Sequence, residues 1–311
     1  MTDHPHPLHG LVHPTEPRLA IASGEREEVV LGQFQRARSA LRLDEVAARG
    51  LTVTRRTSGG PAVLFGPGSL HVALSLPRPD ALVSCTPRQL VNRYVRPLLR
   101  GLGRLGCAAH YFGRDWVTAA KRPVAWIGYA ELGDGRSWVE ALVAVQHRFD
   151  LPSELDGYPA RQNDWFLGKA PITLEDVLGR SVSADEVQSA ITGAYHAAFG
   201  ELGAGTWTHD ELRPEVHDER PAWDAVIEEA IGFIGASAAP SPGVGGDFLA
   251  GAEVVEALTR AMTELGPAPS DDAIASAIQR AVELGTMEGM KDHGSIARAM
   301  REAFRVAAAR R

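Results

Sequence analysis

Cysteine is scarce: the 311 residues hold two, Cys85 and Cys107. Two thiols build neither a disulfide framework nor a cysteine-based zinc cluster. Long apolar runs are also missing, and none approaches the roughly 20 residues that a membrane-spanning helix needs. MTDHPHPLHG has no apolar stretch behind a basic start, so the expected location is cytoplasmic. Positive charge is not in excess. A net charge of −7 argues against a broad nucleic-acid surface and leaves room only for a local basic site. There is no GxxxxGKS/T, no GxGxxG following a strand, and no HExxH, CxxC or GxSxG. Any anion site must therefore be of another design.

The apolar fraction of 44% and charged fraction of 23% are those of a soluble globular protein, long enough for one large domain or two ordinary ones. The first residues, with His4, His6, His9 and His13 among prolines, read as a polar leader without fixed metal-ligand spacing. From Glu27 short β-like runs follow: VVLGQFQ, LTVTRR, AVLF and HVALSLP. Residues 86–106 have helical apolar spacing, with Thr86 as N-cap, Pro87 after it and Gly106 as the stop. Two strands, PVAWIGYA and WVEALVAVQHRF, flank the turn LGDGRS. Thr173 and Ser183 then open two helices with capping-box patterns. Residues 201–220 are polar and read as a linker. The rest reads as mostly helical, with a Pro/Gly-rich break at 240–246. Arg298, Arg301, Arg305, Arg310 and Arg311 load the last helix towards its C-terminus, where they favour the helix dipole.

Residues 54–63, TRRTSGGPAV, stand out. Gly59 and Gly60 permit positive φ and a close, side-chain-free backbone approach. Arg55 and Arg56, at strand spacing, face opposite ways, and a guanidinium beside a glycine turn suits a carboxylate or phosphate. The same segment also reads as a hairpin turn with solvated arginines.

The succession VVLGQFQ, TRRTSGGPAV and FGRDWV resembles the lipoate–protein ligase branch of the biotin/lipoate ligase family. Gly32 and Gln35, then Arg55 to Val63, then Gly113 to Asp115 match its motifs. GGDFLAGAEVVEALTRAMTEL is similar to the start of that branch's accessory domain, and the resemblance spans roughly residues 27–285. It implies an α/β fold (α+β): a mainly antiparallel sheet with packed helices, plus a small helical accessory domain. The implied units are a flexible leader (1–26), a ligase-like catalytic domain (27–200), a linker (201–220) and a helical accessory domain (221–311). It implies ATP and Mg²⁺ as cofactors, and lipoate or a medium-chain fatty acid joined through an acyl-adenylate to a lysine of a lipoyl-domain or similar carrier protein. Arg55, Arg56, Ser58, Gly59, Gly60 and Asp115 would hold the acyl-adenylate, because fixed cations and N–H groups stabilise its developing negative charge.

The sequence departs from the family's pattern at several positions. Pro61 replaces a glycine, Phe65 a histidine, and Asp115-Trp116 an Asn-Asp pair. The family's catalytic lysine falls on Pro123. Lys121, two residues earlier on an extended chain, faces the same way and is the candidate for its role; the alternative is a solvated lysine at the start of a strand. Trp126 replaces a glycine and would shorten or fill an acyl pocket.

Two other readings stay open. One is an ATP-independent octanoyl or lipoyl transferase, which needs Cys85 or Cys107 as nucleophile. The other is a non-catalytic, ligase-derived protein that binds acyl ligands or partners. His71 and His147 read as core or edge histidines, Asp247 as the cap of the following helix, and MEGMKDHG (287–294) as a helix–turn boundary.

Overall fold

A computed structural model describes residues 8–13, 15–113, 115–159, 170–217, 220–288 and 292–310. His4, His6, Arg311 and the middle of MEGMKDHG lie outside the described residues. In chain order, α1 (Leu8–Leu11) precedes β1 (Arg18–Ser23) and β2 (Glu28–Leu31). Two short helices, α2 (Ala37–Ala40) and α3 (Leu43–Ala48), lead to β3 (Thr52–Arg55), β4 (Val63–Phe65) and β5 (Ser69–Leu76). A 3₁₀ turn at Pro87–Gln89 opens α4 (Leu90–Arg104). Four strands follow: β6 (Ala109–Tyr111), β7 (Trp116–Ala119), β8 (Arg122–Glu131) and β9 (Ser137–Ala144). Then come α5 (Leu174–Leu178), α6 (Ala184–Phe199), β10 (Gly203–Ala204) and α7 (His209–Leu212). The C-terminal region holds β11 (Ala225–Glu229), β12 (Gly232–Ser237), β13 (Gly243–Gly246) and β14 (Leu249–Ala250). It closes with α8 (Ala252–Glu264), α9 (Asp271–Val282), β15 (Met287–Glu288) and α10 (Gly294–Ala309).

The main sheet has seven strands in the order β10-β1-β5-β9-β8-β7-β6 and is antiparallel except where β10 joins β1. Its central strands are buried on both faces, so they read as almost unbroken apolar runs. Leu70, Val72, Leu74 and Leu76 of β5 and Val139, Ala141 and Val143 of β9 share a core with α4 and α6. On α4 that core takes Leu90, Val91, Tyr94, Val95, Leu98 and Leu102, a helical three- and four-residue spacing. The opposite face, with His71 and Glu140, meets a small sheet ordered β3-β2-β4 and the turn at residues 56–61. Thr173 and Ser183 cap α5 and α6 as the sequence predicts, accepting from Asp176 N–H and Glu186 N–H.

Four local expectations are corrected. Residues 18–23 are no part of a leader, since β1 lies between β10 and β5 in the main sheet. The stretch 201–220 is more than a linker: it contains α7, and Leu212 and Arg213 are fully buried. The C-terminal region is not helices alone, because β11, β12 and β13 form an antiparallel sheet under α8 and α10. Glycines mask those strands, and they are there for packing: a Cβ on Gly235 would come within 2.2 Å of the Trp223 ring. Asp247 does not cap α8, whose N-cap is Gly251; it accepts from Gln35 Nε2 (2.6 Å) and Phe233 N–H (2.9 Å). The C-terminal arginines face acids: Arg298 with Glu229, Arg301 with Asp271, Arg305 with Glu302 and Arg310 with Asp224.

The β7–β8 hairpin turns on Ala120 and Lys121, at φ 49° and 61°. A two-residue turn with both φ positive favours Asn-Gly, and a non-glycine residue there costs about 1–2 kcal/mol. Ala120→Asn combined with Lys121→Gly should therefore raise stability by about 1–2 kcal/mol. An upward shift of the urea midpoint at unchanged slope checks it; an unmoved midpoint refutes the strain.

Candidate functional site

The arginine–glycine turn is built by its own backbone. Arg56 N–H donates to Leu31 O (3.0 Å) and Gln33 N–H to Ser58 O (2.9 Å), tying the turn to the end of β2 and the segment after it. The approach demands glycine at position 32, where a Cβ would lie 2.0 Å from the Gly60 carbonyl oxygen. Arg55 Nη1 donates to the carbonyls of Gly32 (2.7 Å), Gln33 (3.1 Å) and Gln35 (2.7 Å). Arg56 is fully buried, and its Nη2 donates to the carbonyls of Gly59 (2.7 Å) and Pro61 (2.8 Å). Burial lowers the Arg56 guanidinium to about 10, against the pull of Glu140, Asp247 and Asp115.

The main sheet supplies the other wall. Gly128 of β8 pairs with Glu140 of β9, so the Glu140 side chain stands beside a position without one. Its carboxylate accepts from Ser58 N–H (2.7 Å), from the Ser58 hydroxyl and from His71 Nε2 (2.6 Å). Arg213 Nη1 lies 2.6 Å from His71 Nδ1. Arginine can only donate, so Nδ1 accepts and the proton sits on Nε2, facing Glu140. Arg213 Nε donates to Glu28 (2.7 Å), which also meets His209 Nε2 (3.1 Å), and its guanidinium lies 4.2 Å over the Phe65 ring. The result is a buried chain, Ser58–Glu140–His71–Arg213–Glu28. Burial pushes the Glu140 carboxyl up, but its donors win and hold it at about 2. Burial lowers His71, and the nearby Arg213 and Arg56 lower it further against Glu140.

Trp126 closes the middle. The Arg56 guanidinium stacks 3.8 Å over its ring. A Cβ would come within 2.8 Å of the indole at Gly60 and 2.3 Å at Gly128. From the C-terminal region, the Phe248 carbonyl accepts from Gly60 N–H (3.0 Å) and would lie 2.2 Å from a Cβ on Gly59.

The fold thus gathers Arg55, Arg56, Ser58, Gly59 and Gly60, with the buried Asp115 close enough for its charge to act on Arg56. Lys121 is not on an extended chain beside them. It is exposed at the hairpin tip, five residues from Trp126, roughly 16 Å along the strand. Pro123 lies buried in β8, its carbonyl accepting from Ile172 N–H (2.8 Å). Sequence reasoning missed Glu140, Arg213 and Glu28; it read His71 as a core or edge histidine, and His71 is fully buried. The available signal was the single acid in WVEALVAV.

Residues 10–196, more than half of the chain, match the model of the lipoyl protein ligase A/B catalytic domain. The chain belongs to this family. A curated member, the octanoyltransferase LipM of Kyrpidia tusciae, is 27% identical over 227 residues, 63% of this chain and 80% of that protein. Among solved structures, the bipartite lipoate protein ligase of Thermoplasma acidophilum, described with its E2 lipoyl domain, has a TM-score of 0.53 at 20% identity. It covers 66% of this chain and 80% of that one. P. falciparum LipL1 in complex with lipoate has a TM-score of 0.63 at 11% identity, covering 92% and 85%. A lipoate–protein ligase A bound with ATP has a TM-score of 0.51 at 18% identity, covering 66% and 81%. The mainly antiparallel α/β fold is that of the family's ligases. Among the described residues, no helix is long and apolar enough to cross a membrane.

Proposed function

We propose that this family member binds a carrier protein of the lipoyl-domain kind and does not itself form an acyl-adenylate. One observation carries the reading: the turn that would cradle the adenylate is closed by the chain's own groups. Arg56 donates to Gly59 and Pro61, Ser58 to Glu140 and Gly60 N–H to Phe248, while the Trp126 indole fills the space between turn and strand. An anion drawing on any of these donors would have to displace that donor's present acceptor. The residues present therefore do not fit an ATP-derived adenylate with Mg²⁺. Lys121 has no assigned role in this reading. Carrier recognition is supported by the family and by the lipoyl domain described with one structural relative.

The likeness to an octanoyltransferase favours a second reading, acyl transfer through a cysteine. The thiols speak against it, because a nucleophilic cysteine needs a lowered pKa. Cys107 is buried and pushed up to about 11 by that burial. Cys85, also raised by burial and then by Asp80, donates to the Pro79 carbonyl (2.9 Å).

The test is ATP–pyrophosphate exchange with lipoate, octanoate and biotin, alongside titration with unmodified and octanoylated lipoyl domain. Carrier binding without exchange is the expected result. Exchange that requires one of the acids overturns the proposal. Octanoyl transfer from an acyl-carrier thioester that disappears in Cys85→Ala or Cys107→Ala replaces binding with the transferase reading.

A further inference from the structure

The outer face of α4 is a row of arginines. Its sequence, LVNRYVRPLLRGLGR, holds four of them and no acid. Arg93, Arg96, Arg100 and Arg104 recur at three and four residues, so they share one face over roughly 16 Å. The opposite face is pinned in the core through Tyr94, Leu98 and Leu102, so the row cannot turn inward. Arg96, Arg100 and Arg104 are exposed and Arg93 is half-buried. Among the described residues, none of the four side chains has an ion pair or a hydrogen bond. The last helix is the contrast: there Arg298, Arg301, Arg305 and Arg310 each meet an acid.

Helix stability does not account for the row. Only Arg104 lies in the last turn, where the dipole favours a cation, and the first turn holds no acid. Like charges three and four residues apart repel one another, so the row weakens the helix until an anion lies along it. Guanidinium forks suit phosphate oxygens, which they grip bidentately. The row is linear, and so is its match. Phosphates of a nucleic-acid strand rise by about 3.4 Å each, which places about five of them alongside. A flat anionic membrane fits less well, because α6 packs beside α4 and exposes Asp185 and Glu186 to the same plane. Phe112 and Leu284, the exposed large apolar side chains among the described residues, lie outside the row, which therefore offers no apolar anchor to a bilayer.

We infer that the arginine row of α4 binds the phosphate backbone of nucleic acid without reading its sequence. It is a local basic site in a chain of net charge −7, and it lies across the main sheet from the glycine turn. The inference goes beyond carrier binding and does not depend on it. Four arginine–phosphate contacts give a log–log salt slope of about −3.6, a roughly hundredfold loss of affinity between about 50 and 200 mM salt.

The experiment titrates short fluorescein-labelled DNA duplexes with the full-length chain and follows anisotropy over a series of salt concentrations. The parent is expected to bind duplexes of unrelated sequence alike. Arg96→Gln combined with Arg100→Gln replaces exposed groups, and thermal melts establish that it folds like the parent. It should bind roughly tenfold more weakly and with about half the salt slope. Arg301→Gln, which removes an arginine already paired with Asp271, should bind like the parent. No complex with the parent, or parent-like affinity and slope in the double variant, overturns the inference. Binding to phosphatidylserine vesicles or to polyglutamate in place of duplex assigns the row to a membrane or an acidic protein, and overturns it too.

Discussion

Glu140→Ala is expected to lower stability by about 3–5 kcal/mol, the cost of breaking a buried ion network by removing one partner. The carboxylate holds Ser58 through its N–H and hydroxyl and His71 through Nε2, so its loss strands three buried donors at once. The urea midpoint measures the effect, and a loss under about 1 kcal/mol would refute it. The same group sets an acid limb. Its folded pKa of about 2 lies below the ordinary carboxylate value of 4.5, so protons bind the unfolded chain more readily. The stabilisation is therefore complete above about pH 4.5 and fades as pH falls towards 2, by about 3 kcal/mol in all. Glu140→Gln keeps the shape and cannot titrate. Its stability should change far less with pH across that window, which separates the ionic contribution from packing.

This network also shows where the sequence stops being legible. The strand runs, the caps at Thr173 and Ser183 and the arginine–glycine turn could be read because each is a local pattern. The chain from Ser58 to Glu28 could not, because its links are set by register. His71 and Glu140 meet across the β5–β9 pairing, and Arg213 arrives from 142 positions further along than His71, inside a polar stretch that resembles a linker. The hairpin tip misled for the opposite reason. Ala120-Lys121 carries no glycine or asparagine, so nothing marked a turn there, and the alternation of an extended chain was carried one step too far. The strands under α8 and α10 were hidden because their glycines, which make room for Trp223, read as a break. The motif itself was visible, but the use made of its arginines depends on carbonyls that only the folded turn presents.

Trp126→Ala tests that use most directly. Removing a fully buried indole costs about 3–5 kcal/mol. The Arg56 guanidinium also loses its ring, worth up to about 2 kcal/mol in a desolvated site. The space vacated is walled by Gly60, Gly128 and the Arg56 guanidinium, so it joins apolar volume to a cation. That pairing suits the tail and head of a short fatty acid. The folded variant is expected to bind octanoate and to gain several degrees in melting temperature at saturating ligand, whereas the parent shows neither. If the variant folds and octanoate still leaves its melting temperature unchanged, Trp126 is packing alone and the turn is closed by Phe248 and its own carbonyls. If the parent binds octanoate as well as the variant does, the indole is no barrier and the turn is open to acyl ligands after all. The parent's failure to bind free acid, together with binding in the variant, would make this one side chain the barrier to acyl ligands at the turn.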